Sequence, residues 1–278
     1  MIEFFDSHTH TQFAVFKNNY KEVILRALSL KIGLINIGTQ KETSLKAVNV
    51  ALEFSNDPVY AAVGFHPIYA SQILKDKDEI DDFNNLENFK YDYEFYKNLA
   101  QNDKVVAIGE CGLDYFRLKN NEDKIKQKEI FLNQMNLSFE IKKPLMIHCR
   151  NAFSDLIEIL KQNKNLLNQP AGVAHFFTGT IEDAKNLLNL GFYFTFGGVI
   201  TLTRDYDEII RFLPLDRILS ETDAPYVTPL AYRGKINEPQ YIPEIVKKLA
   251  EIKNIAPEEL KAQIIKNNEE VFKINLNF

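Results

Sequence analysis

Phe4-Phe5-Asp6-Ser7-His8-Thr9-His10 passes from an apolar run to a polar one within seven residues. Its start reads as a first β-strand over 2–6, and the residues directly after that strand decide between two α/β architectures. An open, doubly wound sheet announces itself with a glycine-rich first turn, where backbone N–H groups meet the phosphates of a nucleotide. Here the strand runs instead into two histidines, which removes the usual place for a nucleotide cofactor. The alternative is a barrel, whose chemistry collects at the carboxyl ends of its strands.

Working outward, short β-branched or aromatic runs alternate with amphipathic ones. Candidate strands fall at 2–6, 33–37, 59–63, 105–109, 145–147, 172–174, 193–196 and 218–220, eight in all. Helix-period segments lie between them at 41–54, 124–141, 152–161, 181–190 and 205–212. Each places apolar residues three and four apart, so that one stripe can pack on a sheet. Eight alternating units favour one closed (β/α)8 TIM barrel spanning 1–278. The acidic, Phe- and Tyr-studded stretch 76–96 interrupts the alternation and reads as a surface insertion with helical parts. From Pro239 onward two helices are expected to end the barrel and pack against its side.

Composition narrows the classes. The 278 residues are 45% hydrophobic, enough for a large core, and no run stays apolar long enough to span a bilayer. The first residues lack the basic flank and apolar stretch of a signal peptide, so a cytoplasmic protein that meets no membrane is expected. Two cysteines, Cys111 and Cys149, are too few for a disulfide framework. A formal charge of −5 argues against a broad basic surface gripping nucleic acid through many phosphates.

All five histidines fall at or after the carboxyl ends of candidate strands. His8 and His10 are two apart, so both can point to one side and share a cation, although His-x-His alone more often belongs to a polar turn. His66, Glu110, His148, His175 and Asp223 come after the third, fourth, fifth, sixth and eighth strands. Singly, His148 and His175 could be hydrogen-bonded core histidines, Glu110 an ion-pair partner for Arg117 or Arg150, and Asp223 a cap for the turn before Pro225. Jointly they are the imidazole and carboxylate set that suits a first-row divalent cation. Glu221 and Asp6, two positions before a candidate ligand, are candidates for orienting imidazoles. Cys111 and Cys149 flank Glu110 and His148 and should face the helices, as packing residues.

Six blocks then carry a resemblance: Asp6-Ser-His-Thr-His10, Gly64-Phe-His-Pro67, Ala107-Ile-Gly-Glu-Cys-Gly-Leu-Asp114, Ile147-His-Cys-Arg150, His175-Phe-Phe-Thr-Gly179 and Glu221-Thr-Asp-Ala-Pro225. In this order the chain resembles the TatD family of metal-dependent deoxyribonucleases, and more widely the amidohydrolase-like superfamily. The resemblance implies the same barrel and two divalent cations, magnesium, manganese or zinc. His8, His10 and Asp223 would hold one, His148 and His175 the second, with Glu110 between them. Many amidohydrolases carry a modified lysine where this chain has Glu110, which favours the TatD branch. Such paired ions stand about 3.5–4 Å apart, clamp a phosphodiester and lower the pKa of a shared water. The resemblance places His66 at the substrate, and Asp223 is a candidate base for the attacking water.

Arg150, Arg117 and Arg233 are candidates for phosphate contacts, and Tyr226, Phe65 and Phe177 for stacking on a base. The expected activity is hydrolysis of DNA phosphodiesters at single-stranded ends, with no obligate protein partner. Two departures from the family pattern stand out: Asn151, where an acid is common, and the long connection between the third and fourth strands. Rival readings are a hydrolase of another ester, phosphomonoester or amide on the same metals, and a metal-stabilised binding protein without turnover.

Overall fold

The computed structural model describes residues 2–70, 77–80, 89–116, 118 and 120–276. Along the chain run β1 (Phe4–Thr9), α1 (Tyr20–Ser29), β2 (Ile32–Ile37), α2 (Lys41–Glu53) and β3 (Val59–Val63). Then come α3 (Pro67–Ala70), α4 (Tyr93–Ala100), β4 (Val105–Asp114), α5 (Asn121–Ile141), β5 (Leu145–Arg150) and α6 (Phe153–Gln162). The chain continues through β6 (Gly172–Ala174), α7 (Ile181–Asn189), β7 (Phe192–Phe196), α8 (Asp207–Phe212), β8 (Ile218–Ser220), α9 (Ile242–Lys253) and α10 (Pro257–Phe272).

The eight strands pair in sequence order, each parallel to the next. β8 returns to β1 through Asp223 N–H on the His8 carbonyl and His10 N–H on the Ala224 carbonyl, both 2.9 Å, which closes a (β/α)8 barrel. Two apolar sets result from the alternation of side chains along each strand. One set, including Leu34, Ala61, Leu145 and Phe194, packs against the surrounding helices. The other, including Phe5, Ile35, Tyr60, Met146, Tyr193 and Leu219, fills the interior and is joined by Val271, Phe272 and Leu276 from the chain's end. The last helix, α10, and the residues after it therefore complete the interior, while α9 packs in the layer between barrel and helices.

Helix ends are specified locally. The Gln40 side chain accepts the Glu42 N–H at 2.6 Å at the start of α2, and Asn120 accepts the Asp123 N–H at 3.0 Å at the start of α5. Lys142 and Asn254 end α5 and α9 in the left-handed conformation. Periodicity does not single out α1, because the exposed Leu25 blurs the stripe made by Val23, Ile24 and Ala27.

Three strands run further than their apolar runs. β1 reaches Thr9, β4 Asp114 and β5 Arg150, so His8, Glu110 and His148 lie within strands and not beyond them. Pairing of Cys111, Gly112, Leu113 and Asp114 with Ile147, His148, Cys149 and Arg150 carries the ladder into the polar segment. Gly112 makes this approach possible: at φ +133°, a β-carbon there would stand 2.0 Å from the His148 carbonyl oxygen.

Of the segment 76–96, residues 77–80 and 89–96 are described. In these described residues Lys77, Asp78, Lys90 and Glu94 are exposed while Ile80 and Tyr96 are fully buried, and 93–96 begin α4. The aromatic content explains the burial: Tyr91 meets Phe65 edge-on and Phe89 packs on Tyr69, so this stretch covers the third unit of the barrel. Ala14 and Val15 donate to the carbonyls of Glu79 and Asp78 at 3.0 and 2.9 Å, which ties 77–80 to the loop after β1. No helix among the described residues is long and apolar enough to cross a membrane.

Candidate metal centre

A register shift in β1 between Asp6 and Thr9 breaks strict alternation. It lets both Phe5 and the later His8 turn inward, where regular alternation would allow only one of them. His8 and His10 then meet with their Nε2 atoms 3.1 Å apart. Asp223 joins from the turn after β8, its Oδ1 at 3.6 Å from His8 Nε2 and 3.4 Å from His10 Nε2. Its backbone is left-handed at φ 54°, a conformation aspartate tolerates better than most residues.

Glu110 lies between this group and a second one. Its Oε2 is 3.5 Å from His8 and 3.9 Å from His10. Its Oε1 is 2.9 Å from His148 Nδ1, 2.9 Å from His175 Nε2 and 3.2 Å from His66 Nε2. One carboxylate thus offers a separate oxygen to each set.

Hydrogen bonds on the far sides of the rings decide which nitrogens carry lone pairs inward. His10 Nδ1 donates to the Ile37 carbonyl at 2.8 Å, leaving Nε2 free to ligate. His148 is reversed: Nε2 donates to Asp114 Oδ2 at 3.1 Å, leaving Nδ1 facing Glu110. His175 directs Nδ1 toward Glu221 at 3.6 Å and Nε2 inward. His66 differs in kind. Its Nδ1 accepts the Ile68 N–H at 3.1 Å, so a neutral ring carries its proton on Nε2 and donates to Glu110. Although His66 stands within metal-cluster distance of Glu110 and His148, its tautomer makes it a donor to an oxygen and not a ligand.

The electrostatics reflect burial opposed by charge. Burial alone would raise the Glu110 carboxyl, but His66, His175 and His148 outweigh it and hold it well below the usual carboxylate range. Burial lowers His175, yet Glu110 and Glu221 together lift it well above the ordinary imidazole value. Burial, with the stacked His175 ring 3.8 Å away, lowers His8. The carboxylates likewise lift His10 and His148 above the ordinary imidazole value, so His8 and His66 are the two imidazoles of the cluster that burial pushes down.

The donor set fits divalent cations. Inward-facing lone pairs of His8, His10 and Asp223, and of His8, Glu110 and His175, lie within 4.8 Å of one another. Too few protons are available to satisfy so many buried acceptors, a shortage that cations relieve. His8 Nδ1 is buried without a hydrogen-bond partner, and His175 Nδ1 faces Glu221 at 3.6 Å, beyond hydrogen-bond reach, so these two rings are oriented mainly from the inward side.

The cluster floors a cavity of about 700 Å³ at the carboxyl end of the barrel. Arg150 and Tyr226 line it, as do Glu79, Phe116, Phe176 and Tyr206, which the sequence did not single out. Other candidates stand elsewhere. Arg233 is exposed in the loop after β8, directly after the 3-10 turn Leu230–Tyr232, and is not among the lining residues. Phe65 and Phe177 are 1% exposed and belong to the core between barrel and helices. Arg117 lies outside the described residues. Arg150 does not pair with Glu110 but lies over the Phe116 ring, 3.7 Å from its centroid.

Asp6 does not orient an imidazole. Its carboxylate accepts the Thr222 hydroxyl, the Thr222 N–H at 2.8 Å and the His8 N–H at 3.3 Å, pinning the end of β8 to β1. Asp114, in the sequence no more than the last residue of a motif, is the functional residue that sequence reasoning missed. Its position four residues after Glu110 on an expected turn hid the fact that β4 continues through it. Cys111 and Cys149 are buried in the layer between barrel and helices, which pushes both thiols up.

Comparison with known proteins agrees with this geometry. Residues 5–273 match the family described as TatD related DNase. The chain is 35% identical to the metal-dependent hydrolase YabD of Bacillus subtilis, over 98% of this chain and 99% of that one. It is 32% identical to a TATDN1 deoxyribonuclease homolog of Enterocytozoon bieneusi, over 91% and 89% of the two chains. The crystal structure of YJJV, a TatD homolog from Escherichia coli K12, superposes with a TM-score of 0.81 at 25% identity, covering 98% of this chain and 99% of that one. With its ligand-type residues gathered at the mouth of the barrel, this chain belongs to the TatD family and is a metal-dependent hydrolase.

Proposed function

We propose that the protein is a deoxyribonuclease that hydrolyses phosphodiester bonds at single-stranded DNA ends with two divalent cations. The observation that carries the reading is the division of the Glu110 carboxylate, one oxygen toward His8 and His10 and the other toward His148 and His175. On this reading His8, His10 and Asp223 hold one cation, His148 and His175 the other, and Glu110 both. Bound there, the pair would polarise a phosphoryl oxygen and bring a water's pKa toward neutrality. The name carried by the Enterocytozoon relative and the family description both favour DNA as the substrate.

The chain's own residues then have separable tasks. Asp223, whose side chain is 17% exposed, is the acid of the cluster that reaches into the cavity beside His10, and it orients the attacking water and takes its proton. His66 donates its Nε2–H to Glu110 Oε1 at 3.2 Å, and with cations on the Glu110 oxygens that N–H would be released to a phosphate oxygen in the cavity. Arg150 contributes a permanent positive charge at the rim.

The test is to strip the protein of metal and monitor 3′- and 5′-labelled single-stranded DNA with magnesium, manganese or zinc restored. Metal-dependent cleavage, lost in Glu110→Gln and Asp223→Asn, supports the reading. Intact DNA alongside hydrolysis of a phosphomonoester or amide would keep the metal centre and overturn the nuclease.

A further inference from the structure

Among the described residues that line the cavity, Arg150 is the only lysine or arginine, and no carboxylate among the described residues pairs with it. It lies on the Phe116 ring, which is 50% exposed. The pair is held from beneath. Asp114 Oδ1 accepts the Phe116 N–H at 2.9 Å, while Oδ2 takes the His148 ring proton. Tyr115 N–H donates to the Arg150 carbonyl at 2.9 Å, and the Tyr115 hydroxyl to Asp155 at 2.7 Å. An exposed aromatic and a cation thus stand side by side just beyond β4 and at the end of β5, on backbone anchored by these hydrogen bonds.

We propose that Phe116 and Arg150 form a clamp for a single nucleotide unit, the ring stacking on a base and the guanidinium meeting the adjoining phosphate. The inference rests on the nuclease reading and adds how the strand is held. Stacking on a ring tolerates any base, and a guanidinium meets two phosphate oxygens at once. With one such cation in an acidic cavity, the grip depends on one phosphate and one base and not on a long basic track. Asp114 makes the clamp continuous with the metal centre, since the same carboxylate orients His148.

The test compares a short single-stranded oligodeoxynucleotide with an abasic strand of equal length and equal phosphates, in metal-loaded protein. The native protein is expected to show a KM for the abasic strand roughly 5- to 150-fold higher, the range for loss of one stacked base. Phe116→Ala should abolish that discrimination and Phe116→Tyr should keep it, with melting temperatures confirming that both fold. Arg150→Ala should flatten the dependence of log KM on log salt by about 0.7, the contribution of one phosphate on a single strand. If the native protein cleaves both strands with equal KM, or Phe116→Ala still discriminates, the clamp is overturned and the nuclease stands. If it cleaves neither, the nuclease reading falls and takes the clamp with it.

Discussion

His148 Nε2 lies 3.1 Å from Asp114 Oδ2, and that contact turns the opposite ring nitrogen, Nδ1, to within 2.9 Å of Glu110. The inward atom of His148 is therefore chosen by a residue that touches neither Glu110 nor the other three imidazoles of the proposed ligand set. Removing such a partner costs about 10- to 100-fold in metal affinity elsewhere. Asp114→Ala should weaken one of two binding steps by that factor in calorimetric titration and leave the step at His8, His10 and Asp223 unchanged. Equal weakening of both steps, or of neither, would contradict the division of ligands.

Glu110→Gln removes the carboxylate that faces both groups. Activity should fall by at least about 10²-fold, the scale of a positioned acid–base group. A cation that binds only the folded state stabilises it by about 2.7 kcal/mol at a hundredfold excess over Kd. For a chain of this size that corresponds to a melting temperature higher by about 5–10 °C. Chelator-treated native protein should recover this increment when metal is added, and Glu110→Gln should recover much less of it. An undiminished shift in the variant would place the cation elsewhere.

Asp6 makes the metal-free protein sensitive to pH. Burial pushes its carboxyl up to about 8, against opposition from the Thr222 hydrogen bonds. An unfolded aspartate titrates near about 3.9, so between the two values the folded state binds the extra proton. Its contribution to stability is complete below the lower value and is lost as pH rises through the upper one. Relative to Asp6→Asn, the native melting temperature should drop progressively between about pH 4 and about pH 8 and change little above that. A constant difference across that range would show that Asp6 is ionised throughout.

Gly112 is needed for space as well as conformation. Its φ of +133° is unfavourable for any L side chain, and a β-carbon would collide with the His148 carbonyl at 2.0 Å. Gly112→Ala should cost more than about 1 kcal/mol. The melting temperature should fall by at least about 2–4 °C, with metal binding at His148 weakened at the same time. Native stability in this variant would mean that β4 and β5 can separate at their ends without consequence.

The sequence by itself determined the barrel and the residues at its mouth. Alternating runs such as 59–63 and 181–190 carry their periodicity in the chain, because each element buries one face whatever its neighbours are. His8, His10, Glu110, His148, His175 and Asp223 were legible because each falls at the end of an apolar run, where the barrel puts its chemistry. The roles of Asp114, Arg233 and Asp6 were not legible. β4 extends through Asp114 only because β5 pairs with it there. Arg233 follows a turn in the loop after β8 and does not line the cavity, and Asp6 spends its carboxylate on Thr222 across the closure of the barrel. The choice of ring nitrogen at His10, His66 and His148 is made by the Ile37 carbonyl, the Ile68 N–H and the Asp114 carboxylate. Such choices belong to the tertiary structure, because a tautomer depends on what stands on the far side of the ring. Two of these three partners, Ile37 and Asp114, lie on neighbouring strands, distant along the chain and adjacent only once β1 has paired with β2 and β4 with β5.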